Sequence, residues 1–339
     1  MQTEVRLVLK AVGFICLVAV GLPANLSVLL LFCRLRFLRS RLPPNDFILS
    51  NLAIVNLIVL LCRGIPQTLV ALGLQRFIND QGCKAAIFTY RIGRAMSICV
   101  TALLGCYQSV SIAPATSHWN AVKRWLPAHL PHAIILLYGL NFIICTGSIL
   151  FSESPPVNGS IPEYTLNLEF CIVVFPGLQA YVVNGVVYSV RDVVFVAVMV
   201  LAAVYMLLVL YRHKQQVKGL RGASKASAGA SQAVLLLVCT YVVLFGVENV
   251  LWGYTLSVSR VMPAISDARV FFASCYSALS PVLIIATNRR LAGNFRCTTC
   301  VKIVGEDSSH HEGSKIAHCF SVQKTKLVAL TPAAVIYSI

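Results

Sequence analysis

Apolar residues in this chain are collected into long blocks, and short polar segments separate them. The blocks run approximately over Leu7–Phe32, Phe47–Leu72, Ala85–Ala113, Ala133–Leu150, Tyr181–Leu210, Ala233–Leu256 and Val270–Thr287. A helix needs about 20 residues to cross the roughly 30 Å apolar core of a bilayer. Lipid offers backbone polar groups no partner, so each block must satisfy its own hydrogen bonds as a helix. The pattern predicts an all-α membrane protein, a seven-transmembrane helix bundle.

Composition agrees with this, because a chain with 58% hydrophobic residues, 12% charged residues and a mean hydropathy of +0.78 is not an ordinary soluble domain. Lys and Arg are frequent after the first, third and fifth blocks and in the C-terminal tail, and they are rare in the other connections. Since cytoplasmic loops carry the excess of Lys and Arg, we expect the N-terminus outside and the C-terminus inside. We expect the bundle at 1–296 and a disordered cytoplasmic tail at 297–339.

Two of the 13 cysteines lie on the side that this orientation makes oxidising. Cys83 stands at the outer end of the third block, and Cys171 lies in the long loop between the fourth and fifth blocks. A disulfide between them would fasten that loop across the mouth of the bundle, and two free thiols are the alternative. The same loop contains Asn158, which begins an Asn-Gly-Ser glycosylation signal that fits an extracellular position.

Ionisable residues inside a membrane span cost several kcal/mol unless they are paired or hydrated, so each is a candidate site residue. Arg91 and Arg94 are three residues apart on one face of the third helix, about 12–16 Å below Cys83. Other such residues are Arg63, Arg191, Asp192 and Glu248. Because Arg191 and Asp192 are adjacent, we do not expect them to face each other as a helical pair.

These charges suggest a hydrated outer cavity that binds a small organic ligand, possibly anionic. Arg91 and Arg94 would clamp a carboxylate, because a guanidinium group presents two parallel donors. Glu248 would pair with one arginine or with a donor on the ligand. The candidate ligand-binding residues are Tyr90, Arg91, Arg94, Ser97, Arg191, Glu248, Asn249 and Trp252.

Other interpretations of the same residues remain open. In the first, the arginines and carboxylates form an internal ion-pair network, such as Arg94 with Glu248, that only sets helix packing. Arg63 and Arg191 are the residues that best suit snorkelling to the membrane interface. Aromatic residues such as Tyr90 and Trp252 more often pack or face lipid than contact a ligand.

Short motifs resemble those of rhodopsin-like G protein-coupled receptors. The matches are Gly21–Asn25, similar to the first-helix Gly-x-x-x-Asn, and Leu52-Ala53, similar to the second-helix Leu-Ala. Asn56 stands where that class usually has a sodium-binding Asp, and Tyr107–Ser109 replaces Asp-Arg-Tyr. Ser280-Pro281 keeps only the proline of Asn-Pro-x-x-Tyr.

Those departures resemble the vomeronasal type 1 receptor family and its fish members, the olfactory receptors class A-related. Tyr107–Pro114, followed by Ser117–Trp119, is similar to the family's Phe-Gln-x-x-x-Ile-x-Pro with a downstream Ser-x-Trp. Tyr211–Val217 resembles its fifth-helix signature. The likeness covers about Gly21–Ile285. It implies a plasma-membrane chemosensory receptor, in a sensory neuron, that binds an odorant or pheromone and activates a heterotrimeric G protein of the inhibitory type.

The predicted cytoplasmic face would then receive the G protein. The expected contact residues are Ser111, Trp119, Arg212, His213, Lys214 and Lys218. Anchoring of the basic residues to anionic lipid headgroups is the alternative. No catalytic, cofactor-binding or metal-binding spacing is evident, so we predict no enzyme, cofactor, metal or nucleic-acid partner. The alternative function is a small-solute transporter or channel whose permeation path is lined by the buried Arg and Glu residues.

Overall fold

The computed structural model describes residues 2–38, 42–74, 77–114, 116–155, 164–216, 225–257 and 263–287. The helices are α1 (Gln2–Leu38), α2 (Pro44–Val59), α3 (Ile65–Ala71), α4 (Asp80–Ile112), α5 (Ser117–Cys145), α6 (Gly147–Phe151), α7 (Leu178–Gln216), α8 (Lys225–Ser257) and α9 (Pro263–Thr287). Among the described residues, seven helical segments are long and apolar enough to cross a membrane. The predicted number of spans is confirmed.

The second span is not one continuous α-helix. A π-helical segment, Leu60–Gly64, separates α2 from α3, and the N–H of Ile65 bonds to the carbonyl of Leu60. Pro66 follows at once and has no N–H to donate, so the regular hydrogen-bond ladder is interrupted here in any case. Such π segments occur frequently at functional sites, and Arg63 lies within this one.

The fourth span begins earlier than its apolar block indicated. Helix α5 starts at Ser117 rather than at Ala133 and continues through Pro127 and Pro131. Each proline removes only one N–H donor, so a helix that also makes contacts with adjacent helices can contain both prolines. Lys123 supplies one such neighbouring contact, because its Nζ donates to the carbonyl of Ala113 at 2.7 Å, close to the end of α4.

Close packing joins the first and seventh spans near the middle of the bundle. A Cβ atom at Gly21 would lie 2.9 Å from the Cβ atom of Ala278 in the seventh span and 3.0 Å from its Cα atom, so only glycine fits there. Four residues later, the Asn25 amide donates to the carbonyl of Ser277 at 2.9 Å. Pro281 has no N–H with which to occupy that carbonyl, so Asn25 satisfies an acceptor that the proline leaves free.

An uncharged polar network joins three spans at the same depth. The Asn56 amide donates to Ser280 Oγ at 2.7 Å, and Ser97 Oγ donates to Asn56 Oδ1 at 2.8 Å. All three residues are buried. Hydrogen bonds between neutral partners hold the second, third and seventh spans together here without a buried charge.

The loop between the fourth and fifth spans contains a small antiparallel sheet that the all-helical prediction omitted. Its strands are β1 (Ser152–Glu153), β2 (Thr165–Asn167) and β3 (Ile172–Val174), in the order β1-β3-β2. Strands of two or three residues are too short to show an alternating pattern in sequence. A disulfide joins Cys83 of α4 to Cys171 beside β3, the pair that the sequence analysis singled out.

Two further contacts hold the turn between β2 and β3 against the bundle. Gln67 Nε2 donates to the carbonyl of Leu168 at 2.9 Å. Glu169, whose φ of 69° is unusual for a residue other than glycine, forms an ion pair with Lys10 of α1. Lys10 also bonds to Asp267 of α9 at 2.8 Å. The turn is therefore fastened to the first, second and third spans and is linked through Lys10 to the seventh.

Candidate ligand-binding site

A cavity of about 180 Å³ lies between α4, α7, α8 and the sheet. Its lining residues are Tyr90, Arg91, Arg94, Leu166, Phe175, Tyr181, Asn184, Gly185, Tyr188, Ser189, Arg191, Asp192, Phe245, Glu248 and Asn249. Small-molecule sites are typically concave and apolar with a few convergent polar groups, and this cavity has that character.

Helical spacing explains why these side chains converge. Tyr90, Arg91 and Arg94 lie within little more than one turn of α4. On α7, Asn184, Tyr188 and Asp192 recur at intervals of four residues, which places them on one face of a mostly apolar helix. Asn184, Tyr188 and Asp192 were not among the predicted ligand-binding residues, although their four-residue spacing is visible in the sequence.

Arg94 and Glu248 form an ion pair with two hydrogen bonds that joins α4 to α8. The distances are 2.6 Å from Nη1 to Oε1 and 2.6 Å from Nη2 to Oε2. Asp192 Oδ2 lies 3.9 Å from Arg94 Nη2 on the cavity side of α7. This is the internal ion pair that the sequence left as an alternative to a two-arginine clamp, and it occupies both terminal nitrogens of Arg94.

Arg191 pairs with the carboxylate next to it in sequence. Its Nε and Nη2 donate to Asp192 Oδ1 at 2.8 and 2.7 Å. The expectation that these two residues would not meet was wrong, because an arginine side chain is long enough to fold back along its own helix. The prediction that Arg191 and Arg63 extend to the membrane interface is also wrong. The Arg191 side chain is 8% exposed and Arg63 is 7% exposed, so both residues are buried in the protein.

Arg91 has a different environment from the other two arginines of the cavity. Its Nη1 donates to Asn184 Oδ1 at 3.1 Å, and its guanidinium carbon lies 4.7 Å from the centre of the Tyr188 ring. Within the described part of the chain, no carboxylate oxygen lies within 4.0 Å of an Arg91 nitrogen. The cavity therefore contains three arginines and two carboxylates, and Arg91 is the arginine that has no acidic partner among the described residues.

The remaining predicted residues are divided between two spaces. Tyr90 and Asn249 line the cavity, and the buried Tyr90 hydroxyl has no hydrogen-bond partner within the described ranges. Ser97 lies in an adjoining pocket of about 20 Å³, beneath the Arg94–Glu248 pair. Trp252 is on α8, but its side chain is outside the described part of the structure, and the glycosylation signal at Asn158 is outside it altogether.

The chain matches the vomeronasal organ pheromone receptor family over residues 9–297. It belongs to this family. The receptor is 43% identical over 294 residues to olfactory receptor class A-like protein 1 of Danio rerio, a match that covers 86% of this chain and 93% of the relative. It is 29% identical over 300 residues to vomeronasal type-1 receptor 1 of Homo sapiens, covering 86% and 83%. The match to human vomeronasal type-1 receptor 3 is 30% over 237 residues, covering 68% and 76%.

Family membership decides between the functions that the sequence left open. The family and the named relatives are receptors, so the chain is a multi-pass membrane receptor and not an enzyme. The resemblance proposed from the motifs is confirmed. The transporter or channel alternative has no support from these relatives.

Of the residues expected to contact a G protein, those that the structure describes lie at the end of the receptor opposite the cavity. Ser111, near the end of α4, and Arg212, near the end of α7, are exposed. Trp119 of α5 packs against Tyr205 of α7, with ring centres 6.0 Å apart. The side chains of His213 and Lys214 and the whole of Lys218 are outside the described residues.

Proposed function

We propose that this receptor detects a small organic acid in the cavity between α4, α7 and α8 and passes the signal to a heterotrimeric G protein. The observation that carries the proposal is the environment of Arg91. Of the three arginines in the cavity, it alone lacks a carboxylate partner among the residues that the structure describes. A ligand with a carboxylate would supply the missing negative charge.

The chemistry of Arg91 suits this role. A guanidinium group has five N–H donors, and the side chain of Asn184 accepts from one nitrogen of Arg91, which leaves donors for a carboxylate. Stacking on Tyr188 holds the guanidinium plane in one orientation. The aromatic residues Phe175 and Tyr181 would enclose the apolar part of the ligand.

The same charges disfavour an amine as the ligand. Both carboxylates of the cavity, Asp192 and Glu248, already bond to arginines. An amine would have to break one of these pairs and leave a partly buried arginine unpaired. We therefore assign Arg91 as the anchor of the ligand and Arg94 as a residue that positions α4 against α8.

Signalling requires a ligand that binds one arrangement of the helices more tightly than another. A ligand in this cavity touches three helices, so a change in their separation changes its contacts. We propose that the N-terminus and the cavity face the outside of the plasma membrane of a sensory neuron. Ser111, Trp119, Arg212, His213, Lys214 and Lys218 would contact an inhibitory-type G protein on the other side.

The test is a ligand screen in cells that express the receptor with a promiscuous G protein. Small acids, amines and neutral steroids are applied, and we expect the acids to activate it. Arg91→Gln should then raise the half-maximal concentration of the best acid about 30-fold, which corresponds to the loss of about 2 kcal/mol from charged hydrogen bonds. Surface expression is measured in parallel.

Arg124→Gln is the matched control, because Arg124 is exposed near the start of α5 and the same substitution there leaves the cavity intact. The proposal fails if amines activate best or if Arg91→Gln responds as the unaltered receptor does. A steroid response that is independent of Arg91 would also contradict it.

A further inference from the structure

Arg63 is a second buried cation that has no counter-charge among the described residues, and it belongs to the second span, whereas Arg91 belongs to the third. It lies in the π segment of that span and is 7% exposed. Its Nε atom has no hydrogen-bond partner in the part of the chain that the structure describes. Among the residues with described positions, no carboxylate oxygen lies within 4.0 Å of its guanidinium nitrogens. An unpaired charge at this depth is one of the most unfavourable arrangements in a membrane protein.

Tyr90 presents a second unsatisfied group beside Arg63. Tyr90 is 6% exposed, and its hydroxyl has no hydrogen-bond partner among the residues with described positions. The guanidinium carbon of Arg63 lies 4.4 Å from the centre of the Tyr90 ring, so the two groups are direct neighbours between the second and third spans. The Arg63 nitrogen can only donate, and the hydroxyl can donate as well, so one acceptor placed between them would satisfy both.

A second cation lies near Arg63. Arg269 of α9 is close enough to Arg63 and Arg94 for their positive charges to interact with its own. Glu248 also acts on Arg269, and both of its oxygens bond to Arg94. An anion beside Arg63 would therefore interact favourably with Arg269 as well.

We propose that Arg63 and Tyr90, with Arg269 nearby, form a binding site for a small inorganic anion, which in extracellular fluid is chloride. A monatomic anion accepts hydrogen bonds from any direction, so it needs no further orienting group. It would neutralise Arg63, accept from the Tyr90 hydroxyl and fasten the second span to the third. The proposal does not depend on the organic ligand, because the anion binds in its absence.

The test measures the melting temperature of the purified receptor in lipid nanodiscs without odorant. Sodium chloride is compared with sodium gluconate at equal ionic strength. At chloride concentrations about tenfold above the dissociation constant, we expect a melting temperature about 3 °C higher in chloride, with saturation as chloride is titrated. Bromide should replace chloride, because it is also a small monatomic anion.

Variants separate this site from general salt effects. Tyr90→Phe removes one hydroxyl and should shift the half-maximal chloride concentration upward at least about tenfold, the value expected for a lost hydrogen bond to an ion. Arg63→Gln should abolish the chloride dependence. Arg124→Gln, at an exposed position, should keep it in full. General effects of gluconate on protein stability act on every variant alike and cancel in the comparison.

Equal melting temperatures in the two salts would overturn the proposal. Full chloride dependence in Tyr90→Phe would overturn it as well, and this variant decides alone if Arg63→Gln does not fold. If Arg63→Gln keeps the chloride dependence and loses the response to organic acids, Arg63 pairs with the odorant instead. The organic-acid proposal is judged by signalling through Arg91, so either proposal can fail without the other.

Discussion

Two groups of charged residues near the disulfide-linked end of this receptor differ in whether their charges balance. The rim cluster consists of Arg6, Lys10, Glu169 and Asp267. The cavity cluster consists of Arg91, Arg94, Arg191, Asp192 and Glu248. The rim cluster contains two cations and two carboxylates, each within an ion pair. The cavity cluster contains three cations and two carboxylates.

If the proposed function is correct, this difference separates a structural contact from a binding site more clearly than burial does. The Lys10 side chain in the rim cluster is 4% exposed, yet its charge is fully paired, and it joins α1, the β2–β3 turn and α9. Arg91 in the cavity cluster stacks on a ring and bonds to an amide, so it keeps the capacity to bind an anion. A cluster in which every charge is paired stabilises the fold, whereas a cluster with an excess cation can bind an anionic ligand.

Removal of the disulfide would disturb both clusters and should have the largest effect. Cys171→Ser removes a link between residues that are 88 positions apart, and the loop entropy for that length corresponds to about 4.6 kcal/mol of folding free energy. We expect most of the protein to be retained inside the cell, as measured by surface labelling. Cys239→Ser is the control, because Cys239 is a free, exposed cysteine. Equal surface expression of the two variants would contradict this role of the disulfide.

Breaking the cavity pair at Glu248 should have the next largest effect. Glu248→Gln leaves Arg94 partly buried with only the more distant Asp192 as a carboxylate partner, which should lower the free energy of unfolding by about 3 kcal/mol, as measured by thermal denaturation. The double variant Arg94→Gln/Glu248→Gln removes both charges and should recover more than half of the loss. If the effects of the two single substitutions simply add, the pair is not coupled and this assignment is wrong.

A substitution in the rim cluster should change the stability of the receptor but not its sensitivity to an agonist. Lys10→Met leaves Glu169 and Asp267 without their shared cation and should lower the free energy of unfolding by about 2 kcal/mol. The half-maximal concentration of an acid agonist should stay within about threefold. Arg91→Gln should show the reverse, with a weaker response and unchanged or higher stability, because it removes an unpaired charge. A large agonist shift in Lys10→Met would erase the distinction between the clusters.

The smallest effect is expected at Ser97, in the neutral network beneath the cavity. Ser97→Ala removes the hydrogen bond to Asn56 and should lower stability by about 1 kcal/mol. The agonist concentration response should not change, because Ser97 borders the smaller pocket and not the ligand cavity. A changed agonist response in Ser97→Ala would indicate that Ser97 contacts the ligand, as predicted from the sequence.

Much of the candidate site was visible in the sequence, because ionisable residues are conspicuous in apolar helices. Arg91, Arg94, Arg191 and Glu248 were identified from that contrast alone. The partner of each arginine was not readable, since Arg94 and Glu248 are 154 residues apart. Their contact depends on how α4 and α8 are rotated about their axes, and hydrophobicity does not determine such rotations in helices that are apolar on most sides.

The sequence by itself determined the number of spans and the family, because the lipid requirement acts on each segment separately and the motifs are local. It also marked the two cysteines that meet beneath the sheet. Only the tertiary structure decided the π segment at Arg63, the sheet over the cavity and the pairing within the rim and cavity clusters. These features arise from contacts between distant segments, whose energies depend on side-chain positions that no single stretch of sequence specifies.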